Sequence, residues 1–124
     1  MALEEWTISI PGPPVAKERP RRAPDGHWYT PPRTTRAEEH VGECLLAAGV
    51  RLEPEADYTL DITYYLSTRR ADIDNLCKLT CDGIGTYGKP DGWNDRQVSS
   101  LVVRRVGVHD ATEERTEVVI RRVT

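Results

Sequence analysis

The sequence predicts one two-layer α+β domain in which two helices pack on a small mixed sheet. Three observations indicate this class. The strand and helix patterns follow the order β-loop-α-β-α-β-β, the strand segments alternate apolar and polar residues, and the helical segments repeat apolar residues every three or four positions. The length of 124 residues suits a single unit, so residues 1–124 are expected to form one domain.

The strands are marked by alternation. Glu4–Ile10 places its large apolar residues on one face, and Tyr58–Leu66 shows the clearest alternation in the chain. Gln97–His109 and Glu117–Val123 also alternate, and the short turn between them predicts a hairpin. Pro11–Pro32 contains seven prolines and no apolar period, so residues 11–33 are expected to form a long mobile loop.

Two helices are expected. The first spans about Thr35–Ala48, because its first residue forms a capping-box pattern with Glu38 and because Gly49 suits a left-handed cap. The second follows the Tyr58–Leu66 strand and should be short, because Gly83 and Gly85 interrupt its apolar pattern.

The composition excludes several classes of protein. Lys and Arg number 17 against 20 Asp and Glu, so the formal net charge is −3 and a polyanion must meet a local patch. The longest apolar stretch is far shorter than the roughly 18 residues of a membrane span. The acidic amino terminus does not resemble a secretory signal. The three cysteines are expected to be reduced thiols, which predicts a cytoplasmic protein without membrane contact.

A local basic patch does occur in the proline-rich loop. Between Pro11 and Arg36 there are six basic and two acidic residues, whereas the rest of the chain has 11 basic and 18 acidic residues. Basic side chains release counterions when they neutralise phosphates, and the neighbouring Trp28 and Tyr29 suit stacking on unpaired bases. The competing interpretation is a solvated loop whose charge only keeps it soluble. The residues expected to contact DNA are Lys17, Arg19, Arg21, Arg22, Arg69 and Arg70.

The most informative segment is acidic and follows the Tyr58–Leu66 strand. Asp72 and Asp74 point the same way if the chain is extended there and the helix begins only at Asp74, its N-cap. Asp95 precedes the next strand. Hard oxygen donors from two strand ends suit Mg²⁺, which takes only one or two carboxylates per ion.

A structural role for the same residues is the alternative. An Asp at a helix N-cap contributes about 1 kcal/mol without any further function. Asp74 and Lys78 also have the spacing of an ordinary helical ion pair, which contributes about 0.3–0.5 kcal/mol. Asp72 needs neither role, and two arginines precede it, which favours function.

At these residues the sequence resembles the RusA family of Holliday junction resolvases, found in bacteria, phages and prophages. The resemblance covers most of the chain in order. It includes Pro11–Pro14, Lys17–Arg21, Thr30–Pro31, Arg70–Lys78 and Asn94–Val98. The D-x-D-N-L segment with its following Lys, together with a downstream D-x-Q-V, is the specific part.

The resemblance implies an endonuclease that resolves four-way DNA junctions by paired symmetric nicks in recombination and repair, using Mg²⁺, as a homodimer. It implies that Asp72, Asp74 and Asp95 bind the metal in catalysis and that Lys78 assists or contacts the scissile phosphate. Family members often carry two acids where this chain has Asn94 and Asp95, which leaves the role of the first position open.

Two other functions stay open from the sequence. A non-catalytic module that binds junctions or other DNA would use the acids only to cap a helix and tune stability. A metal-dependent phosphohydrolase would act on small nucleotides, although the long basic loop argues against it. Cleavage of a four-way junction in the presence of Mg²⁺ discriminates among the three.

Overall fold

A computed structural model describes residues 2–124. The strands are β1 (Glu4–Pro11), β2 (Arg21–Arg22), β3 (Trp28–Tyr29), β4 (Tyr58–Leu66), β5 (Val98–Gly107) and β6 (Arg115–Arg122), and the long helices are α1 (Pro32–Ala47) and α2 (Ile73–Gly88). Two helices on a mixed four-stranded sheet, with a second sheet of two short strands, confirm the predicted α+β class. No helix within residues 2–124 combines the length and apolar character that a membrane crossing requires.

The main sheet has the strand order β1-β6-β4-β5. β6 runs antiparallel to both of its neighbours, whereas β5 runs parallel to β4. The predicted hairpin between the last two strands is therefore wrong, because β4 lies between them. β4 is the most buried strand, and its central position pairs both of its edges with neighbouring strands. The connection of residues 108–114 is long enough to cross the roughly 10 Å between β5 and β6, which are next-nearest strands.

The parallel pairing of β4 and β5 determines where the predicted site lies. The two strands are joined through α2, as parallel strands require a crossover connection. The carboxyl ends of β4 and β5 therefore meet at the sheet edge where α2 begins. The Tyr64 hydroxyl of β4 lies 2.7 Å from Thr80 Oγ1 of α2, and this buried hydrogen bond fixes the helix over the sheet.

α1 begins earlier than predicted. It starts at Pro32, and no side chain caps its first turn, so the expected capping box of Thr35 and Glu38 is wrong. Proline suits the first helical position, because its φ is already helical and the missing N–H would have no partner there. At the other end Gly49 has φ 74°, which confirms the predicted left-handed cap.

α2 runs through both glycines that were expected to end it. A Cβ on Gly83 would lie 2.8 Å from Val41 Cβ of α1, so this glycine allows the two helices to approach closely. The loss of helix propensity at a glycine, about 1 kcal/mol, is offset by that packing. Gly83 is thus a contact residue rather than a stop signal.

The proline-rich loop contains the second, small sheet. β2 and β3 pair antiparallel, with Arg21 opposite Tyr29 and Arg22 opposite Trp28. The loop prediction is wrong at these four residues, because strands of two residues are too short to show an alternating pattern.

Candidate active site

The acidic segment lies where β4 leads into α2. Asp72 is the N-cap residue of α2, with extended φ and ψ of −75° and 140°. The Leu76 N–H donates to the Asp72 carbonyl, so the N-cap lies two residues before Asp74. The prediction that Asp74 is the N-cap is wrong. Asp74 instead lies in the first helical turn, where its Oδ1 accepts the Asn75 N–H at 3.0 Å.

The structural interpretation of Asp74 and Lys78 finds little support. Asp74 is not the helix cap, and within residues 2–124 it forms no salt bridge with Lys78. The four predicted catalytic side chains are all exposed: Asp72, Asp74, Lys78 and Asp95. They are therefore accessible to a ligand.

A groove of about 680 Å³ opens beside Asp72, at the carboxyl ends of β4 and β5. Arg69 and Arg105 line it together with Asp72. In α/β sheets the carboxyl ends of parallel strands are the usual place for ligands. Two cations beside a carboxylate suit a phosphate diester that must be held close to an acidic group.

Glu114 fixes the segment that leads to Asp72, and sequence reasoning missed it. Its side chain is 2% exposed and accepts the N–H of Ser67 at 2.8 Å and the hydroxyl of Ser67 at 2.9 Å. It also pairs with the Arg70 guanidinium at 3.3 Å. The hydrogen bond from the Ser67 N–H has the largest effect on the pKa of Glu114, and the one from Arg70 the next largest. Together they hold this pKa below its ordinary value. An acid in a polar turn carries no sequence signal of burial.

Arg70 and Arg105 hold the same segment from two sides. Arg70, predicted to contact DNA, bonds Glu114 and also donates to Thr68 Oγ1 at 2.6 Å. Arg105 reaches from β5 and donates to the Ala71 carbonyl. Sequence reasoning missed Arg105, because an arginine on a strand resembles any surface residue until the parallel pairing with β4 is known.

Asp95 lies further along the same face of α2. It opens a single 3₁₀ turn, Asp95–Gln97, and its Oδ1 is 3.7 Å from the place a Cβ on Gly85 would take. Positions 74, 78, 81 and 85 share one helix face, but Gly85 is about 16 Å from Asp74 along the axis. Asp95 is thus on the same side of α2 as Asp74 without lying beside it.

The donor chemistry suits Mg²⁺, whereas the geometry of one subunit does not complete a site. Carboxylate oxygens are the ligands that Mg²⁺ prefers. Within the part of the chain that the structure describes, no three His, Cys, Asp or Glu side chains form a group that could hold a metal ion. One subunit therefore does not gather Asp72, Asp74 and Asp95 around a shared ion.

Asn94, whose role the sequence left open, has a structural role. Its side chain accepts an N–H of the 3₁₀ turn at 2.9 Å, and the Gln97 side chain accepts the Asn94 N–H at 2.9 Å. The Gln97 amide also donates to the carbonyls of Glu53 and Ala56 at 2.7 and 2.8 Å. These bonds fix the turn that carries Asp95.

Two thiols lie on α2 between the acidic positions. Cys77 Sγ and Cys81 Sγ are 3.8 Å apart. Burial raises the pKa of the Cys81 thiol to about 12, and burial also raises the pKa of Cys77. Both thiols therefore stay protonated at neutral pH and separate the charged groups along this face.

Lys17 is bound within the subunit. Its Nζ lies 2.7 Å from a carboxylate oxygen of Glu38 in α1 and 3.2 Å from one of Asp82 in α2. Its backbone N–H donates to the Asn75 carbonyl at 2.9 Å. Partial burial lowers the pKa of Lys17, but the hydrogen bonds to both carboxylates outweigh it, so the pKa is raised. The predicted DNA contact of Lys17 therefore competes with two ion pairs.

The other basic residues of the loop face solvent. Arg19, Arg21 and Arg22 are exposed. Arg21 pairs with Glu18 at 3.0 Å, and the Arg22 guanidinium carbon lies 6.0 Å from the centre of the Trp28 ring. Lys17 therefore fixes the base of the loop, while these arginines carry its exposed positive charge.

The sequence matches the model of a known protein family. Residues 11–121 match the family described as endodeoxyribonuclease RusA. Because the match covers nearly the whole chain, the protein belongs to the RusA family, which is a family of endodeoxyribonucleases. No individually curated protein matches the chain.

Proposed function

We propose that the protein is a Mg²⁺-dependent endodeoxyribonuclease that resolves four-way DNA junctions by paired symmetric nicks, in recombination or repair in the cytoplasm. The observation that carries the proposal is that the family match coincides with an exposed Asp72 at a groove lined by arginine, and with exposed Asp74 and Lys78 on the helix that begins there. An exposed acid beside cations at the end of a parallel strand pair is hard to explain by stability alone.

The protein's own residues supply binding and charge neutralisation. Arg69 and Arg105 hold the phosphates of the strand that enters the groove. Lys78 lies one helical turn after Asp74, so its ammonium reaches the same phosphate and offsets the charge that develops in the transition state. Asp72, Asp74 and Asp95 are the proposed ligands of Mg²⁺, which when bound would activate a water and stabilise the leaving oxygen.

We infer that a homodimer completes the metal site. β5 is an edge strand of the main sheet, and Leu101 and Val102 in its middle are 46% and 44% exposed. Asp95 precedes the start of β5, whereas Asp72 lies beside its end. A twofold axis through the middle of β5 would pair two antiparallel copies and bring Asp95 of the partner subunit towards Asp72.

This arrangement also suits the proposed substrate. A twofold dimer presents two identical sites, and a four-way junction offers two equivalent strands to cut. Paired nicks then follow from symmetry, since each site meets one strand. The dimer thus accounts both for the separation of the aspartates in one subunit and for symmetric resolution.

Incubation with a labelled four-way junction tests the function. We expect paired nicks with Mg²⁺ and none in EDTA, and little cutting of a linear duplex of the same arm sequence. Asp72→Asn should abolish cleavage and leave junction binding intact. Asp57→Asn, an exposed acid at the opposite end of β4, is the matched control and should cut like the wild type.

The same assay separates the alternatives. Tight junction binding without cleavage at any Mg²⁺ concentration would identify a non-catalytic DNA-binding module. Full cleavage by Asp72→Asn would remove the acidic segment from the active site.

A further inference from the structure

The proline-rich loop carries two exposed aromatic side chains. Trp28 is 66% exposed and Tyr29 is 39% exposed, and both belong to β3. Tryptophan is usually well buried in folded proteins, because its ring removes a large apolar area from water. An indole left in solvent on a basic loop is therefore a candidate contact surface for a ligand.

The hairpin that carries Trp28 is closed by local hydrogen bonds. The Ala23 N–H donates to the His27 carbonyl at 2.8 Å, and the Gly26 N–H donates to the Ala23 carbonyl at 2.9 Å. Gly26 adopts φ 94°, which the tight turn needs, and Asp25 Oδ1 accepts the His27 N–H at 3.1 Å. The backbone that carries the aromatic rings is thus held in a defined turn, which reduces the entropy lost on binding.

The charges around the rings identify the ligand class. Arg21 and Arg22 lie directly opposite Tyr29 and Trp28 in the two-stranded sheet. A stacking ring beside guanidinium groups is the combination that proteins use for unpaired nucleotides, with the ring on the base and the cations on the backbone. Paired bases inside a duplex offer no free face, so the ring selects DNA that is open at a branch.

We propose that the β2–β3 hairpin is a base-stacking element. Trp28 stacks on an unpaired base at the branch point of the DNA, and Arg21 and Arg22 hold the adjacent phosphates. The inference rests on the proposed function in one respect, since it assigns the hairpin to the same branched substrate. It adds a contact to bases, which the groove beside Asp72 does not provide.

Equilibrium binding in EDTA tests the hairpin without any cleavage. A labelled four-way junction and a linear duplex of equal length are titrated with protein and followed by fluorescence anisotropy. Trp28→Ala should weaken junction binding roughly tenfold and leave duplex binding nearly unchanged. Trp28→Phe should retain most of the affinity, because a phenyl ring still stacks. Trp6→Phe, on the main sheet, is the matched control.

Intrinsic tryptophan emission gives a second readout. Single-stranded oligothymidylate should quench the emission of the wild type and of Trp6→Phe. It should not quench Trp28→Phe, whose remaining tryptophans lie on β1 and in a buried position at Trp93. The probe is single-stranded, so this result is obtained even if the protein fails to recognise or cleave junctions.

Three results would overturn the proposal. They are unchanged junction affinity in Trp28→Ala, an equal loss of junction and duplex affinity in that variant, and full quenching of Trp28→Phe by oligothymidylate. A failure of junction cleavage with intact quenching would count against the proposed function alone.

Discussion

Glu114 shows how one buried side chain can determine the placement of an active segment. Its carboxylate accepts both donors of Ser67 and pairs with Arg70, so the chain between β4 and Asp72 has a fixed course. An amide in its place keeps the shape but loses the charge that Arg70 faces. The contribution of Glu114 therefore depends on its ionisation.

Glu114→Gln is expected to lower thermal stability and junction cleavage at neutral pH. The pKa of Glu114 in the folded protein lies below its ordinary value of 4.5, so its stabilising effect is complete above that pH and is lost as pH falls through the lowered pKa. The difference in Tm between wild type and Glu114→Gln should thus be constant near neutrality and shrink in acid. Thermal unfolding followed across this pH range measures it.

The adjacent Glu113 provides the control. It is exposed, so Glu113→Gln should match the wild type in Tm and cleavage. A difference in Tm between wild type and Glu114→Gln that stays the same from neutral pH into acid would show that the charge of Glu114 is not what holds the segment.

At the scale of elements, the contact between α1 and α2 sets the direction in which the α2 face with Asp74 and Lys78 points. Gly83→Ala should destabilise the protein by about 1–3 kcal/mol, because the new methyl group would overlap Val41. The cost of this overlap exceeds the gain in helix propensity. Gly42→Ala is the matched control in α1. Its Cβ would meet Tyr87 at an ordinary 3.8 Å, so it should be neutral or stabilising by up to about 1 kcal/mol. Urea unfolding measures both variants.

The basic loop divides its charges between two tasks. Lys17 joins the loop to both helices, so Lys17→Met should lower the Tm and leave the salt dependence of DNA binding unchanged. Arg19 is exposed, so Arg19→Ala should keep the Tm and reduce the log–log salt slope by about one unit. Dissociation constants at several salt concentrations measure the slope. A lower slope in Lys17→Met would show that its ammonium leaves the ion pairs for the DNA.

The elements that were predictable are those whose signal is local. The alternation of Glu4–Ile10 and Tyr58–Leu66 predicted β1 and β4 within a residue at each end. The place of β5, the continuation of α2 through Gly83 and the burial of Glu114 depend on partners distant in sequence. In the site, the exposed state of Asp72 and Asp74 agrees with a functional role. Their separation from Asp95 could not be predicted, because it depends on how far α2 extends.

At the scale of the whole molecule, the main question is how Asp95 could join a site that contains Asp72. Asp72 and Asp95 belong to opposite ends of β5, and a single subunit does not close this gap. In a dimer with a twofold axis through β5, Asp95 of each subunit would lie towards Asp72 of the other, which gives two equivalent sites. The proposed enzyme would then be active only as a dimer, with each site built from both chains.

Mixed dimers distinguish shared sites from sites within one chain. Asp72→Asn and Asp95→Asn should each be inactive alone. If sites are shared, a dimer of one chain of each has one intact site and one doubly altered site, so an equal mixture recovers about one quarter of the wild-type sites. Those dimers should nick one strand only. If each chain holds its own site, the mixture stays inactive.

In the reciprocal mixture, the mixed dimers should be inactive if sites are shared and active if each chain holds its own site. A chain with both Asp72→Asn and Asp95→Asn, paired with the wild type, has one altered residue in each shared site and should be inactive. The same pairing would keep one intact site if the sites lie within single chains. Single-turnover cleavage after subunit exchange measures both mixtures. Wild-type dimers persist in an equal mixture, so about one quarter of the wild-type sites should be active if sites are shared and about one half if each chain holds its own site. Without exchange the first mixture would be inactive and the second about half active, so poor exchange cannot imitate the result expected for shared sites.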